Sequence, residues 1–222
     1  MSIKIVLFDL DGTLTDPGEG ITNSVAYALN KFGITVEDRK ELYNFIGPPL
    51  IDSFMKYYNM SYDDGLKAVE YYREYFSVTG IFENTMFDGI PELLEKIKKS
   101  GRIVSLATSK PEQYAVRILE HFDLTKYFDF VGAATMDETR SKKADVITYT
   151  LNKLNVTDKS RVVMIGDRHH DIEGANQNGL DSIGVLFGYG DRQELETAGA
   201  TYIAENIDDI IKIPETDDNR KC

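Results

Sequence analysis

Two aspartates stand one residue apart near the start of the chain, in the segment IKIVLFDLDGTLTD. Asp9 and Asp11 come where an apolar run ends that is typical of a buried strand. An unpaired carboxylate is costly to bury, so the pair is expected to serve a chemical purpose. Polar side chains follow other apolar runs in the same way: Thr108 and Ser109 in SLATSKP, and Asp167 and Asp171 in VVMIGDRHHDIEGA. Lys142 and Lys143 in RSKKADVI stand at the start of a helical pattern that follows another predicted strand.

The segments around these residues predict a doubly wound, Rossmann-like α/β fold with a parallel sheet. Short apolar runs predict strands at Ile3–Leu10, Arg102–Thr108, Asp129–Ala133, Arg161–Gly166, Ser182–Leu186 and Thr201–Ala204. Patterns between most of them predict helices at Ile90–Ser100, Glu112–His121, Lys142–Leu154, Asp171–Asn178, Arg192–Ala198 and Ile207–Ile211. Because ligands of such sheets lie beyond the carboxyl ends of the strands, we expect the polar residues to converge there.

A helical segment interrupts this alternation after the first strand. Helical patterns occur at Ile21–Phe32, Glu37–Phe45, Leu50–Tyr58 and Tyr62–Thr79, with no convincing strand among them. We therefore expect an inserted α-helical cap domain at 17–86, an α/β core domain formed by 1–16 and 87–214, and a flexible tail at 215–222. The cap is expected to act as a lid over the site.

Four neighbouring carboxylates indicate a metal site. Like charges at close range raise one another's pKa, and a hard divalent cation removes that conflict, which favours Mg²⁺. The net charge of −12 disfavours binding to nucleic acid, because that requires a basic surface. A metal, a lysine and backbone N–H groups can still form a positive well for phosphate in an acidic protein.

With Mg²⁺ and phosphate in the site, the two N-terminal aspartates can take different tasks. Asp9 can attack phosphorus as a nucleophile and form an aspartyl phosphate. Asp11 points elsewhere, because alternate residues face apart, and can protonate the leaving alcohol. It can then accept a proton from the water that hydrolyses the intermediate.

The phosphate is expected to be held by backbone and side-chain donors. Gly12 permits a sharp turn through which the N–H groups of Leu10 and Asp11 can face the phosphate. Thr108 can donate a hydrogen bond to a phosphoryl oxygen, with the Ser109 hydroxyl beside it, and a lysine can offset the charge that gathers in the transition state.

The same residues resemble the haloacid dehalogenase superfamily in an ordered set of four motifs. DLDGTLTD resembles the first motif, ATSK the second, the lysine before ADVI the third, and GDRHHD the fourth, GDxxxD. Such an ordered set is far more specific than any one motif. The helical insert resembles that of subfamily I members with an α-helical cap. FDGIPELLEKIKKSG and VLFGYGDRQELETAGATYI resemble the phosphoglycolate phosphatase branch, and FIGPPLIDSF resembles a 5′-nucleotidase-like group within it.

The resemblance implies a role for each matched residue. Because KKAD lacks the prolines of the common Lys-Pro-x-Pro third motif, two lysines compete for that role; Lys143 is preferred and Lys142 is the alternative. The implied roles are nucleophile and Mg²⁺ ligand for Asp9, general acid/base and backbone-carbonyl ligand for Asp11, Mg²⁺ ligand for Asp167, ligand or supporting anchor for Asp171, and phosphate binding for Thr108.

The activity implied by the resemblance is Mg²⁺-dependent hydrolysis of a small phosphorylated metabolite, in the manner of a phosphoglycolate phosphatase. The alternatives are a 5′-nucleotidase acting on nucleoside monophosphates, a β-phosphoglucomutase-like phosphomutase, and a non-enzymatic phospho-receiver or binding domain. Asp11 and the helical insert argue against the receiver, which needs neither.

Composition bounds the location and partners that we expect. The chain has no apolar run long enough to span a bilayer and no charged-then-apolar leader, and its one cysteine, Cys222, allows no internal disulfide. We expect a soluble, cytoplasmic protein that is a monomer or homodimer, with no membrane and no nucleic-acid polymer as partner.

Overall fold

The computed structural model describes residues 3–137 and 139–212, in which strands and helices alternate. The strands are β1 Ile5–Phe8, β2 Thr15–Asp16, β3 Thr85–Met86, β4 Ile103–Pro111, β5 Phe130–Ala134, β6 Val162–Gly166, β7 Asp181–Val185 and β8 Tyr202–Ala204. The α-helices are α1 Gly18–Lys31, α2 Leu50–Tyr58, α3 Tyr62–Tyr75, α4 Ile90–Lys99, α5 Glu112–His121, α6 Lys143–Lys153, α7 His169–Asn178, α8 Arg192–Thr197 and α9 Ile207–Lys212. Short 3₁₀ helices lie at Arg39–Phe45, Thr125–Tyr127 and Lys159–Arg161, and a π-helical turn lies at Phe76–Gly80.

The described chain divides into two compact units. One contains the residues up to Leu14 and those from Met86 onward, and the other contains Thr15–Thr85. None of the helices in the described ranges combines the length and apolar character that crossing a membrane requires. The predicted tail at 215–222, including Cys222, lies outside the described residues.

The first unit is built on a parallel sheet of six strands within the described residues, in the order β5-β4-β1-β6-β7-β8. Phe8 of β1 lies opposite Leu106 of β4 on one side and Ile165 of β6 on the other. Every residue of β1 and β6 is buried, as expected for central parallel strands covered on both faces, which are continuously apolar. The predicted α/β fold with a parallel sheet is confirmed.

One face of this sheet packs against α6 and α7. Ile5 and Leu7 are two residues apart in β1 and therefore point to the same face, where they join a buried cluster with Ile147 of α6 and Ala175 of α7. Burial of these apolar side chains fixes both helices against the sheet. Their first turns thereby come to the edge formed by the carboxyl ends of the strands.

Several boundaries near that edge differ from the predicted ones. β1 ends at Phe8, two residues before the predicted Leu10. β4 continues to Pro111 rather than ending at Thr108, with a shift of its pairing to β5 between these two residues. α7 begins at His169, two residues earlier than predicted, because the Asp171 carboxylate accepts a hydrogen bond from the backbone N–H of Arg168 (3.1 Å) and so stabilises the first turn.

The second unit is helical apart from the short strands at its ends. β2 and β3 pair with each other, so the prediction of no strand between residues 17 and 86 missed Thr85–Met86. Two residues are too few to show an alternating pattern. α1 begins at Gly18, three residues before the predicted Ile21, because Asp16 Oδ1 accepts a hydrogen bond from the Gly18 N–H (2.9 Å).

Candidate active site

Adjacent strands bring two of the predicted aspartates to the same edge. Asp9 directly follows β1, and Asp167 directly follows β6, its neighbour in the sheet. The Asp9 N–H donates to the Ile165 carbonyl (2.9 Å), so the pairing with β6 continues one residue beyond β1. Both aspartates are buried, with 7% of Asp9 and 0% of Asp167 exposed.

A buried lysine joins the strands to the helices. Lys143 is the first residue of α6, and its Nζ lies 2.7 Å from Asp9 Oδ1 and 2.8 Å from Asp171 Oδ1. The same ammonium donates a hydrogen bond to the Ala107 carbonyl of β4 (3.0 Å). Burial favours the neutral amine, but the two carboxylates outweigh it and hold the pKa of Lys143 above its ordinary value. The competing Lys142 is exposed at the start of the same helix.

Three buried carboxylates form a cluster at this edge. Asp9, Asp167 and Asp171 each offer an oxygen, and these oxygens all lie within 4.8 Å of one another. Burial, together with the neighbouring carboxylates, raises the pKa of Asp167 well above its ordinary value. Burial likewise raises the pKa of Asp171 to about 6, with the Lys143 ammonium opposing the rise and Asp9 adding to it.

This cluster fits a hard divalent cation. Asp9 Oδ1 and Asp171 Oδ1 are buried and accept no hydrogen bond of good geometry from the described residues, although the Lys143 ammonium lies beside both. Carboxylate oxygens are the ligands that Mg²⁺ prefers. When ionised, Asp11 and the three clustered carboxylates carry two more charges than Lys143 and Lys110, an excess that one divalent cation neutralises.

Asp11 is paired with a lysine that the sequence analysis missed. Lys110 Nζ lies 2.7 Å from Asp11 Oδ2, and the two side chains are 6% and 14% exposed. Burial raises the pKa of Asp11, while the Lys110 ammonium acts in the opposite direction. Asp11 is not one of the three clustered carboxylates, so its predicted metal contact depends on its backbone carbonyl.

The extension of β4 explains how Lys110 enters the site. Thr108 and Lys110 are both buried, and Ser109 between them is half-buried. Thr108 Oγ1 accepts a hydrogen bond from the Lys110 N–H (3.2 Å). The alternation of a strand, continued past Thr108 through TSK, is the signal that could have identified Lys110.

Close backbone approaches around Asp167 require glycine. Gly12 has φ +81°, and a Cβ there would lie 2.1 Å from Asp167 Oδ2. Gly188 approaches from the segment after β7, where a Cβ would lie 2.4 Å from the Asp167 Cβ. The next residue, Tyr189, donates its backbone N–H to Asp167 Oδ2 (2.8 Å). A backbone donor leaves no residue-type signal, so the sequence analysis did not identify this support.

Leu10, whose backbone N–H was predicted to contact the phosphate, is less exposed than Asp9 and Asp11 beside it. Leu10 is fully buried between Asp9 and Asp11, and its carbonyl accepts hydrogen bonds from the N–H groups of Thr13 (3.3 Å) and Leu14 (2.9 Å). These bonds close a tight turn directly after β1. The Thr13 hydroxyl in that turn also donates to Asp167 Oδ1 (3.4 Å).

Comparison with curated proteins finds relatives along nearly the whole chain. A protein from Pseudomonas aeruginosa named 5′-nucleotidase is 42% identical over 95% of this chain and 95% of its own length. The tyrosine-protein kinase PtkA of Mycobacterium tuberculosis is 36% identical over 94% of this chain and 72% of its own length. A phosphoglycolate phosphatase of Vibrio parahaemolyticus is 24% identical over 95% of this chain and 96% of its own length.

Comparison with solved structures and with family models identifies the family of this chain. The crystal structure of a predicted phosphatase from Clostridium acetobutylicum is 49% identical and superposes with a TM-score of 0.94, covering 97% of this chain and 100% of that one. Residues 6–185 match the model of the haloacid dehalogenase-like hydrolase family, a span that includes all the predicted site residues. The chain belongs to the haloacid dehalogenase-like hydrolase family.

Proposed function

We propose that this protein is a Mg²⁺-dependent phosphatase that hydrolyses a small phosphorylated metabolite through an aspartyl phosphate. The observation that carries the proposal is the pairing of each N-terminal aspartate with a different buried lysine, Asp9 with Lys143 and Asp11 with Lys110. The two carboxylates are thus held in separate environments, as two separate chemical roles require.

Asp9 is the nucleophile in this proposal. The Lys143 ammonium, 2.7 Å from Asp9 Oδ1, orients the carboxylate and offsets negative charge where a phosphoryl group would arrive. Asp9, Asp167 and Asp171, with the Asp11 carbonyl, would hold Mg²⁺, which supplies charge neutralisation for the phosphoryl oxygens.

The phosphate would be held at the ends of β1 and β4. Thr108 contributes its hydroxyl and Ser109 lies beside it, while the turn after β1 contributes the N–H groups of Leu10 and Asp11. Asp11 serves as general acid to the leaving alcohol and as general base to the hydrolytic water. These assignments repeat the roles expected from the sequence.

Nucleoside 5′-monophosphates are the first substrates to test. The relative named 5′-nucleotidase is 42% identical, against 24% for the one named phosphoglycolate phosphatase, and this difference reverses the order expected from the sequence. Phosphoglycolate remains the second candidate. The likeness to a protein named a tyrosine kinase makes phosphoryl transfer to an acceptor other than water a result that the assay must detect.

A substrate panel with a nucleophile variant tests the proposal. We expect the wild type to release inorganic phosphate, with Mg²⁺ present, from at least one of nucleoside 5′-monophosphates, phosphoglycolate and hexose phosphates. Asp9→Asn removes the nucleophile and should lower kcat by about a thousand-fold or more. Asp63→Asn, at an exposed aspartate of α3, is the matched control and should keep full activity.

Three outcomes would contradict the proposal. Full activity in Asp9→Asn would exclude Asp9 as the nucleophile. Phosphate release that falls short of the alcohol released at steady state would show that the phosphoryl group passes to a separate acceptor, as in a kinase. Conversion of a hexose phosphate to an isomeric phosphate, with release of neither product, would indicate a phosphomutase. Equal amounts of both products support hydrolysis.

A further inference from the structure

The two carboxylate oxygens of Asp11 have different surroundings. Oδ2 lies 2.7 Å from Lys110 Nζ. Oδ1 is buried and accepts no hydrogen bond from the described residues. A buried carboxylate oxygen without a donor is costly, so Oδ1 is the oxygen that needs a partner from outside the protein.

Lys110 is fixed firmly enough to hold Asp11 in this orientation. It lies in β4, only 8% of the residue is exposed, and its backbone N–H donates to Thr108 Oγ1 (3.2 Å). The shift in pairing between Thr108 and Pro111 falls at this part of the strand. Such irregularities redirect side chains next to functional sites.

We propose that Lys110 is a positioning residue, which engages Asp11 Oδ2 so that Oδ1 faces the oxygen that gains or loses the proton. This inference rests on the proposed phosphatase function. In the first step the Asp9 oxygen bonds to phosphorus, the bond from phosphorus to the leaving oxygen breaks, and the proton of Asp11 passes to that oxygen. In the second step water bonds to phosphorus, the bond to Asp9 breaks, and Asp11 recovers a proton from the water.

The role of Lys110 should therefore depend on the leaving group. An alkoxide is a poor leaving group and needs the proton that Asp11 supplies, whereas p-nitrophenolate leaves without protonation. A lysine that only stabilised the fold would affect both kinds of ester by the same factor. The ratio of the rate loss on the alkyl ester to the rate loss on the aryl ester therefore distinguishes a positioning role of Lys110 from a purely structural one.

The experiment compares p-nitrophenyl phosphate with the best alkyl phosphate of the substrate panel under single-turnover conditions. Lys110→Met should slow cleavage of the alkyl ester about 10- to 100-fold and of the aryl ester about three-fold or less, since positioned acid catalysis contributes about 100-fold or more. Asp11→Asn should show the same selectivity. Lys159→Met, at an exposed lysine of the same unit, should leave both rates unchanged.

A double variant gives a second, independent test. If Lys110 acts through Asp11, Asp11→Asn combined with Lys110→Met should cleave the alkyl ester no more slowly than Asp11→Asn alone. The double variant also removes both charges of the pair, so it can be measured even if Lys110→Met alone does not fold. Circular dichroism and thermal melting confirm the folded state of each variant.

Either of two results would overturn the inference. Equal losses on both esters in Lys110→Met, or a further loss in the double variant, would show that Lys110 does not act through Asp11. Failure of the phosphatase proposal is a different result: it would be seen in the wild type, as no cleavage of either ester or as less phosphate than alcohol, or in Asp9→Asn, as full activity.

Discussion

At the scale of single residues, the site is defined by buried charges that occur in contact with one another. Lys143 lies between Asp9 and Asp171, and Lys110 lies against Asp11. A buried charge that loses its partner is strongly destabilising. Replacement of one residue of such an ion pair therefore affects its partner as well. Asp167 is held by a backbone N–H and by close glycine backbone instead of a lysine.

Gly12→Ala tests that close approach. Gly12 and Gly101 have nearly the same backbone angle, φ +81° and +77°, but a Cβ at Gly101 meets nothing within 4 Å, whereas one at Gly12 would lie 2.1 Å from Asp167 Oδ2. Both alanine variants should lose about 1 to 2 kcal/mol of unfolding free energy from left-handed backbone strain. Only Gly12→Ala should also lose most of the activity and weaken Mg²⁺ binding.

Urea unfolding and Mg²⁺ titrations of the activity check this prediction. Gly101→Ala serves as the matched control for backbone strain. Retention of wild-type Mg²⁺ dependence in Gly12→Ala would mean that Asp167 tolerates displacement and that the close approach has no functional consequence.

At the scale of elements, two neighbouring helices hold the segment that carries the fourth motif. Glu194 of α8 accepts hydrogen bonds through Oε1 from Arg168 Nε (2.8 Å) and from the backbone N–H of His169 (2.9 Å) at the start of α7. The His169 ring nitrogen Nδ1 also lies 2.8 Å from the same oxygen. Through these contacts α8 fixes the first turn of α7, which includes Asp171.

The charge of Glu194 should stabilise the fold in a pH-dependent way. Burial opposes ionisation, but the His169 N–H and the Arg168 guanidinium prevail and lower the pKa of Glu194 from 4.5 to about 2. Because the folded-state pKa is the lower one, this stabilisation is complete above pH 4.5 and is lost as the pH falls toward 2. Glu194→Gln should cost about 1 kcal/mol at pH 7 and progressively less below pH 4.5.

Thermal melting of the wild type and of Glu194→Gln between pH 7 and pH 3 measures how the loss of stability depends on pH. Glu196→Gln is the control, because Glu196 pairs with Arg192 on the exposed surface of the same helix (3.2 Å) and should change stability by less than about 0.5 kcal/mol. If the difference in melting temperature between wild type and Glu194→Gln stayed constant across this pH range, the lowered pKa of Glu194 would be contradicted.

At the scale of the whole molecule, the site joins parts of the chain that are far apart in sequence. Asp9 and Asp171 contact the same ammonium although they lie 162 positions apart in the sequence (171 − 9). A cation bound there would connect the first strand to α7 and so stabilise the native fold, because the unfolded chain does not hold these carboxylates together. Metal binding and fold stability should therefore be coupled.

Removal of Mg²⁺ should lower the melting temperature. With free Mg²⁺ at about 100 times its dissociation constant, the gain in unfolding free energy should be about 2.7 kcal/mol, and excess EDTA should abolish it. Asp167→Asn should lose this gain, yet without metal it should be no less stable than the wild type. It removes one of three repelling carboxylates and keeps an oxygen that can accept the Tyr189 N–H.

Calorimetry with and without EDTA measures the coupling, and Asp63→Asn serves as the control that keeps the full Mg²⁺ response. An equal response in Asp167→Asn would place the bound cation elsewhere on the protein.

Sequence alone determined the parallel α/β fold, the helical character of the segment after the first strand, and most of the residue types at the site. These properties follow from local patterns: apolar runs of strand length, helical periodicity, and polar residues directly after strands. Asp9 and Asp167 were predicted to meet because each ends a strand of one parallel sheet, and the structure brings them together.

Tertiary structure decided the contacts that local patterns do not contain. It extended β4 past Thr108 and thereby buried Lys110 against Asp11, and it brought the Tyr189 N–H to Asp167. It also set Lys143, the lysine preferred from the sequence, against Asp9 and left the alternative Lys142 exposed. Each of these results depends on the exact end of a strand, the rotation of a helix, or the course of a loop. Those features are set by the packing of segments that are distant in sequence, so they cannot be predicted from a local pattern.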